Sequence, residues 1–145
     1  MRQHVLFFIL TFVSLLSFGQ KKLIIIGNKW ADSICSAKAI MMTNDAVKID
    51  KCYADNKQKF AGIKSEPLSV DRYYPYLFNI TMSEWETIQN TLDKIVNCDY
   101  GIPIKIEFTE NNTRRTFFLK RFTNCYPESV RHIMESLESY FNNLK

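Results

Sequence analysis

The chain predicts an α+β fold of two layers, an antiparallel sheet with two amphipathic helices packed on one of its faces. Two observations carry that expectation. Residues 104–122 alternate apolar and polar on either side of an Asn-Asn pair, and the segments 81–96 and 127–145 repeat their apolar residues at intervals of three and four. Removing an expected leader of 19 residues from the chain of 145 leaves a length that suits one domain, 20–145, with one core.

The first residues, 1–19, read as a signal peptide. Met1 to His4 is polar and carries Arg2, Val5 to Leu16 is apolar, and Ser17 and Gly19 are the small residues an export peptidase accepts. The apolar run is shorter than the roughly twenty residues that a membrane helix needs. Cleavage is expected between Gly19 and Gln20, giving an exported product, periplasmic or secreted, with no transmembrane segment after cleavage.

Short apolar runs then suggest strands at Lys22 to Ile26, around Val47 to Tyr53 and at Tyr76 to Ile80. Residues 29–43 read as a short helix after Asp32, since Ala37, Ala39, Met41 and Met42 suit one, although Thr43, Asn44 and Asp45 ahead of "AVKI" would also suit a hairpin turn. Residues 54–71, with Lys57, Lys59, Lys64 and Pro67, read as a long polar connection.

A helix start follows, because Thr81 with Glu84, and Ser83 with Glu86, have the spacing of a capping box. Trp85, Ile88, Leu92 and Ile95 make its apolar stripe. In the next strand Ile104, Ile106 and Phe108 point one way, with Lys105 and Glu107 pointing the other way to solvent. Asparagine tolerates the positive φ of a tight turn, so Asn111 and Asn112 close a hairpin in which Ile106 faces Phe117 and Ile104 faces Leu119. The last helix opens with Pro127 in its first turn and Glu128 near the positive end of its dipole. Its buried face is Val130, Ile133, Leu137, Tyr140, Phe141 and Leu144.

Extended past its apolar part, the hairpin register sets Cys98 opposite Cys125. This predicts a Cys98–Cys125 disulfide and leaves Cys35–Cys52 by elimination, in a compartment that permits both. The four cysteines include no C-x-x-C pair, which argues against zinc, and the sequence calls for no metal and no cofactor.

The formal charge of +4 includes Arg2 and favours weak attraction to acidic surfaces without naming a partner. The basic stretch "TRRTFFLKRF" resembles a nucleic-acid surface only until the pleat is applied. Arg114, Phe118, Lys120 and Phe122 then fall on one face, and Arg115, Phe117, Leu119 and Arg121 on the other. A single-strand-binding surface needs cations and aromatics on one side, so no nucleic acid is expected as a partner. Phe118 and Phe122 are left on the second face, either to be covered or to bind.

Catalytic machinery is scarce. The only histidine after the leader is His132, placed in solvent on the last helix, where it serves neither a Ser-His-Asp nor a Cys-His hydrolase. In "DRYYPYLF", Tyr73, Tyr74 and Tyr76 offer the large, amphipathic contact area that interfaces favour. The candidate binding residues are therefore Tyr73, Tyr74, Tyr76, Phe118 and Phe122. The expected function is a small exported binding or interaction protein, an inhibitor, immunity-type or envelope accessory module, whose partner is another exported or envelope protein. The alternative is an exported hydrolase that uses paired carboxylates on a cell-wall or polysaccharide substrate, for which 15 acidic residues offer many pairs.

Overall fold

The computed structural model describes residues 19–28, 35, 37–53, 60–67, 74–122 and 125–144, with the side chains of Tyr74 and Pro75 left out. The expected leader lies outside these residues apart from Gly19. The described elements are β1 (Lys22–Gly27), β2 (Ala37–Thr43), β3 (Ala46–Tyr53), β4 (Glu66–Pro67), α1 (Tyr74–Asn79), α2 (Met82–Asp93), β5 (Tyr100–Glu110), β6 (Thr113–Phe122) and α3 (Glu128–Asn143). The strands form one antiparallel sheet in the order β4-β3-β2-β1-β5-β6.

Strand β1 is central and buried on both faces, which is why it reads as an unbroken apolar run. Leu23 and Ile25 join Ile40, Met42, Val47, Ile104, Ile106, Phe108, Phe117 and Leu119 in one core cluster. The stripes Trp85, Ile88, Leu92 of α2 and Val130, Met134, Leu137, Phe141 of α3 complete it. Ile24 and Ile26 face the other way, into a smaller cluster with Ala37, Ala39, Tyr53 and Phe60.

The helix expected after Asp32 is not what residues 37–43 form. They are β2, paired with β1 and β3, while most of 29–36 lies outside the described residues. Alanine and methionine favour helices only weakly, and pairing with β1 overrides that preference. The hairpin signal was the deciding one: Thr43 Oγ1 donates to the Asp45 carboxylate at 3.0 Å and lies 3.2 Å from the Ala46 carbonyl, closing the turn into β3.

The strand expected at Tyr76 to Ile80 is also corrected, to the helix α1. Pro75 sits in the first turn, where no N–H is required, and Leu77 and Ile80, three residues apart, are both buried. Lys21 closes the far end of this helix by donating to the Ile80 carbonyl at 3.2 Å. Its ammonium lies 5.1 Å from the ring centroids of both Phe78 and Phe108, and burial pushes its pKa below the usual lysine value. Of the expected connection 54–71 only residues 60–67 are described: Phe60 is buried and packs on the Tyr53 ring at 5.6 Å, and Glu66–Pro67 form β4.

Of the two capping boxes on offer, α2 uses Thr81 with Glu84. The Glu84 N–H donates to Thr81 Oγ1 at 3.3 Å and the Thr81 N–H to Glu84 Oε2 at 2.7 Å. Pro127 stands one place earlier than expected, as the N-cap of α3.

The β5–β6 hairpin has the register its sequence predicts, with Ile106 opposite Phe117 and Ile104 opposite Leu119. Asn111 and Asn112 take φ of 49° and 64°, as a two-residue turn with both centres left-handed requires. An irregularity between Gly101 and Ile104, at Pro103, then shifts the pairing by one residue. The disulfides are Cys98–Cys125, with Cα atoms 6.4 Å apart, and Cys35–Cys52, 4.9 Å apart.

Candidate functional site

The α1–α2 junction and the start of α3 enclose a groove of about 370 Å³. Its floor is Ile80, Ile88, Val130 and Ile133, and its rim is Tyr76, Asn79, Thr87, Thr91 and Ser129, with Glu84 at one end. Each part follows from local sequence. Ile88 belongs to the apolar stripe of α2, whereas Thr87 and Thr91 lie beside that stripe, one turn apart. Their hydroxyls donate back to the carbonyls of Ser83 at 2.9 Å and of Thr87 at 2.8 Å. The helix thus satisfies these two hydroxyl donors internally and leaves their oxygens as acceptors.

Tyr76 is 44% exposed and flanks this groove. Its ring lies 5.6 Å from that of His132, which is exposed on α3 as expected. Glu84 is held below the ordinary carboxylate value by the Thr81 backbone and side-chain hydrogen bonds, so the groove carries one ionised carboxylate. An apolar floor under a largely neutral polar rim suits an apolar group presented with hydrogen-bonding neighbours.

The other sequence-nominated residues are dispersed. Tyr73 lies outside the described residues, and for Tyr74 the backbone alone is described, in α1. Phe118 is 52% exposed on the sheet face away from the helices. Phe122 does not accompany it, being 5% exposed and in the main core, with edge-on contacts to Tyr100 and Tyr126 at 6.2 and 6.1 Å. Strict alternation stops holding where the β5 irregularity and the strand end coincide, so that expectation is corrected. Tyr100, the cross-strand partner of Phe122, is an exposed aromatic that sequence reasoning missed: it is 65% exposed, with the Lys120 ammonium 5.6 Å from its ring centroid.

Glu107 is a second correction. It lies on the face expected to be solvated, yet it is 4% exposed, with Lys105 Nζ 2.9 Å from Oε1 and Arg114 Nη2 2.7 Å from Oε2. A 250 Å³ pocket lies beside it, lined by Lys22, Ile24, Glu107, Thr109 and Arg114. Each of these two cavities is lined by a single carboxylate, Glu84 in the groove and Glu107 here. A glycosidase-type acid pair needs two.

Among the described residues no helix is long and apolar enough to cross a membrane. Comparison with known protein families, curated proteins and solved structures finds no match to this chain.

Proposed function

We propose that the chain is a small exported binding protein that receives an apolar side chain of another exported or envelope protein in the groove between α1, α2 and α3. The observation carrying this reading is the groove itself: an apolar floor under a polar rim with Glu84 at one end, bordered by the half-exposed Tyr76. Export is part of the proposal, supported by the leader-like composition of residues 1–19 and by two disulfides, which persist in oxidising compartments. The two-layer arrangement belongs to it as well, supported by the single cluster in which both helix stripes meet one sheet face.

Affinity capture from an envelope fraction, with the oxidised chain as bait, tests the reading through variants. A partner retained by the unaltered chain and by Lys64→Gln, an exposed change outside both cavities, but lost with Tyr76→Ser and with Ile133→Glu, is the expected result. Equal recovery with all four baits would place the contact elsewhere and sink the groove as the site.

A further inference from the structure

We infer that the sheet face opposite the helices carries an oxyanion-binding site at the corner of β1, β5 and β6, taking a phosphate or carboxylate group. Strand register builds it. Lys22 on β1 is the cross-strand partner of Thr109 on β5, and Thr109 is the partner of Arg114 on β6. Three donor-bearing side chains therefore stand in a row on one face, at the spacing of roughly 5 Å that separates neighbouring strands. The pocket of 250 Å³ beside them has room for a small organic acid or a phosphate ester.

Glu107, one step along β5, organises the row. Its carboxylate is buried and lines the pocket, but it accepts Lys105 on one oxygen and Arg114 on the other, so its charge is offset by the two cations it holds. Its effect on Arg114 is orientation. With one Nη donating to Glu107 at 2.7 Å, the guanidinium, 62% exposed, is drawn to the pocket wall with donors to spare, and its planar fork matches an oxyanion. Among the described residues Lys22, Lys105 and Arg114 stand against Glu107, a net charge of +2, of which the residues lining the pocket carry +1. The Lys22 ammonium enters no ion pair among the described residues and is available to a ligand. A buried carboxylate that fixes two of three cations distinguishes this place from scattered surface charge.

Titration of the oxidised chain with inorganic phosphate, and separately with acetate, at constant ionic strength and followed by amide NMR, tests the assignment. Saturable shifts grouped at Lys22, Thr109 and Arg114, with a dissociation constant of about a millimolar, are expected. Tighter binding of phosphate would mark phosphate esters as the source of the group, and tighter binding of acetate organic acids. Lys22→Gln, an exposed change that leaves the buried cluster intact, should weaken binding about five-fold, the effect of losing one exposed charge-assisted contact. Thr109→Val should weaken it less. Shifts that fail to saturate, that spread over lysines remote from this corner, or that persist unchanged in Lys22→Gln overturn the inference.

Discussion

Gln89 Oε1 accepts the backbone N–H of Phe118 at 2.8 Å, so a helix side chain closes a hydrogen bond that the outer edge of β6 would otherwise offer to another chain. The same polar stripe of α2 supplies Glu86 to Arg115 at 3.2 Å and Asp93 to Lys120 at 3.1 Å. An edge strand is a template for unwanted pairing, and here it is covered by a helix on one side of the sheet. On the other side, β4 is two residues long and ends in Pro67. Gln89→Ala is expected to cost about 1 kcal/mol in urea unfolding and to raise concentration-dependent self-association. Light scattering that shows no change in association would mean the ion pairs alone protect the edge.

The Cys98–Cys125 bridge closes a separation of 27 residues and ties the segment after α2 to the one before α3. In the chain-entropy model a loop of this size stabilises by about 3.5 kcal/mol, a large part of what a small domain has. Replacing both residues with serine should lower the urea midpoint accordingly. The corresponding Cys35→Ser, Cys52→Ser pair, with a separation of 17, should cost slightly less. A smaller loss for the longer loop would show that native packing, rather than denatured-state freedom, sets the order.

Where the chain's own period was long enough, the sequence was a sufficient guide. The β5–β6 register, the stripes of α2 and α3 and the Asn111–Asn112 turn all repeat over several residues, so that local preference and burial agree. The errors fall where a short segment takes its identity from its neighbours. Ala37 to Thr43 is a strand because β1 lies beside it, and Tyr76 to Asn79 is helical in a run too short to show a period. The groove is half legible: Tyr76 stands out in the sequence, but the floor comes from α2, α3 and the α1–α2 junction, and no single stretch announces that meeting. The burial of Glu107 is not legible in the sequence, because alternation reports which face a residue occupies and not whether Lys105 and Arg114 pair with it there.

Tyr126 makes stability sensitive to high pH. Burial pushes its phenol from the ordinary 10.0 to about 12, while its hydroxyl accepts the Phe122 N–H at 3.1 Å and donates to Glu138 at 3.2 Å. A folded-state value raised above the unfolded one means a contribution fully present below about pH 10 and lost as pH climbs toward about 12. Urea midpoints should therefore fall across that window, and the fall should be shallower in Tyr126→Phe. Parallel alkaline limbs for the two proteins would assign the loss to other groups.

Glu84 acts at the opposite end of the scale. Its carboxyl is held below the ordinary value by the hydrogen bonds from Thr81, so its contribution is present above that value and lost as pH falls through the depressed one. Glu84→Gln keeps an acceptor for the Thr81 N–H and removes the titration. Its acid limb should be flatter than that of the unaltered chain, and coincident limbs would show that the capping box contributes nothing charge-dependent.

Arg121 is, with Glu107, one of the buried charges among the described residues. Its side chain is 6% exposed and its Nη2 lies 3.2 Å from the Glu138 carboxylate, which is itself 32% exposed. Removing one partner of a buried pair is costlier than removing both, because the remaining charge keeps its desolvation penalty. Glu138→Leu should therefore cost about 2 kcal/mol, below the full buried-pair range because Glu138 reaches solvent and Arg121 makes a further interaction besides this one. Arg121→Met should cost less, since it takes the buried charge away and leaves Glu138 able to hydrate. The double variant Arg121→Met, Glu138→Leu should recover much of the Glu138→Leu loss and approach the stability of Arg121→Met alone. That non-additivity is the sign of a direct coupling. If the two single losses simply add in urea unfolding, the pair is not coupled, and Arg121 is retained for the packing of its aliphatic stem against the core rather than for its charge.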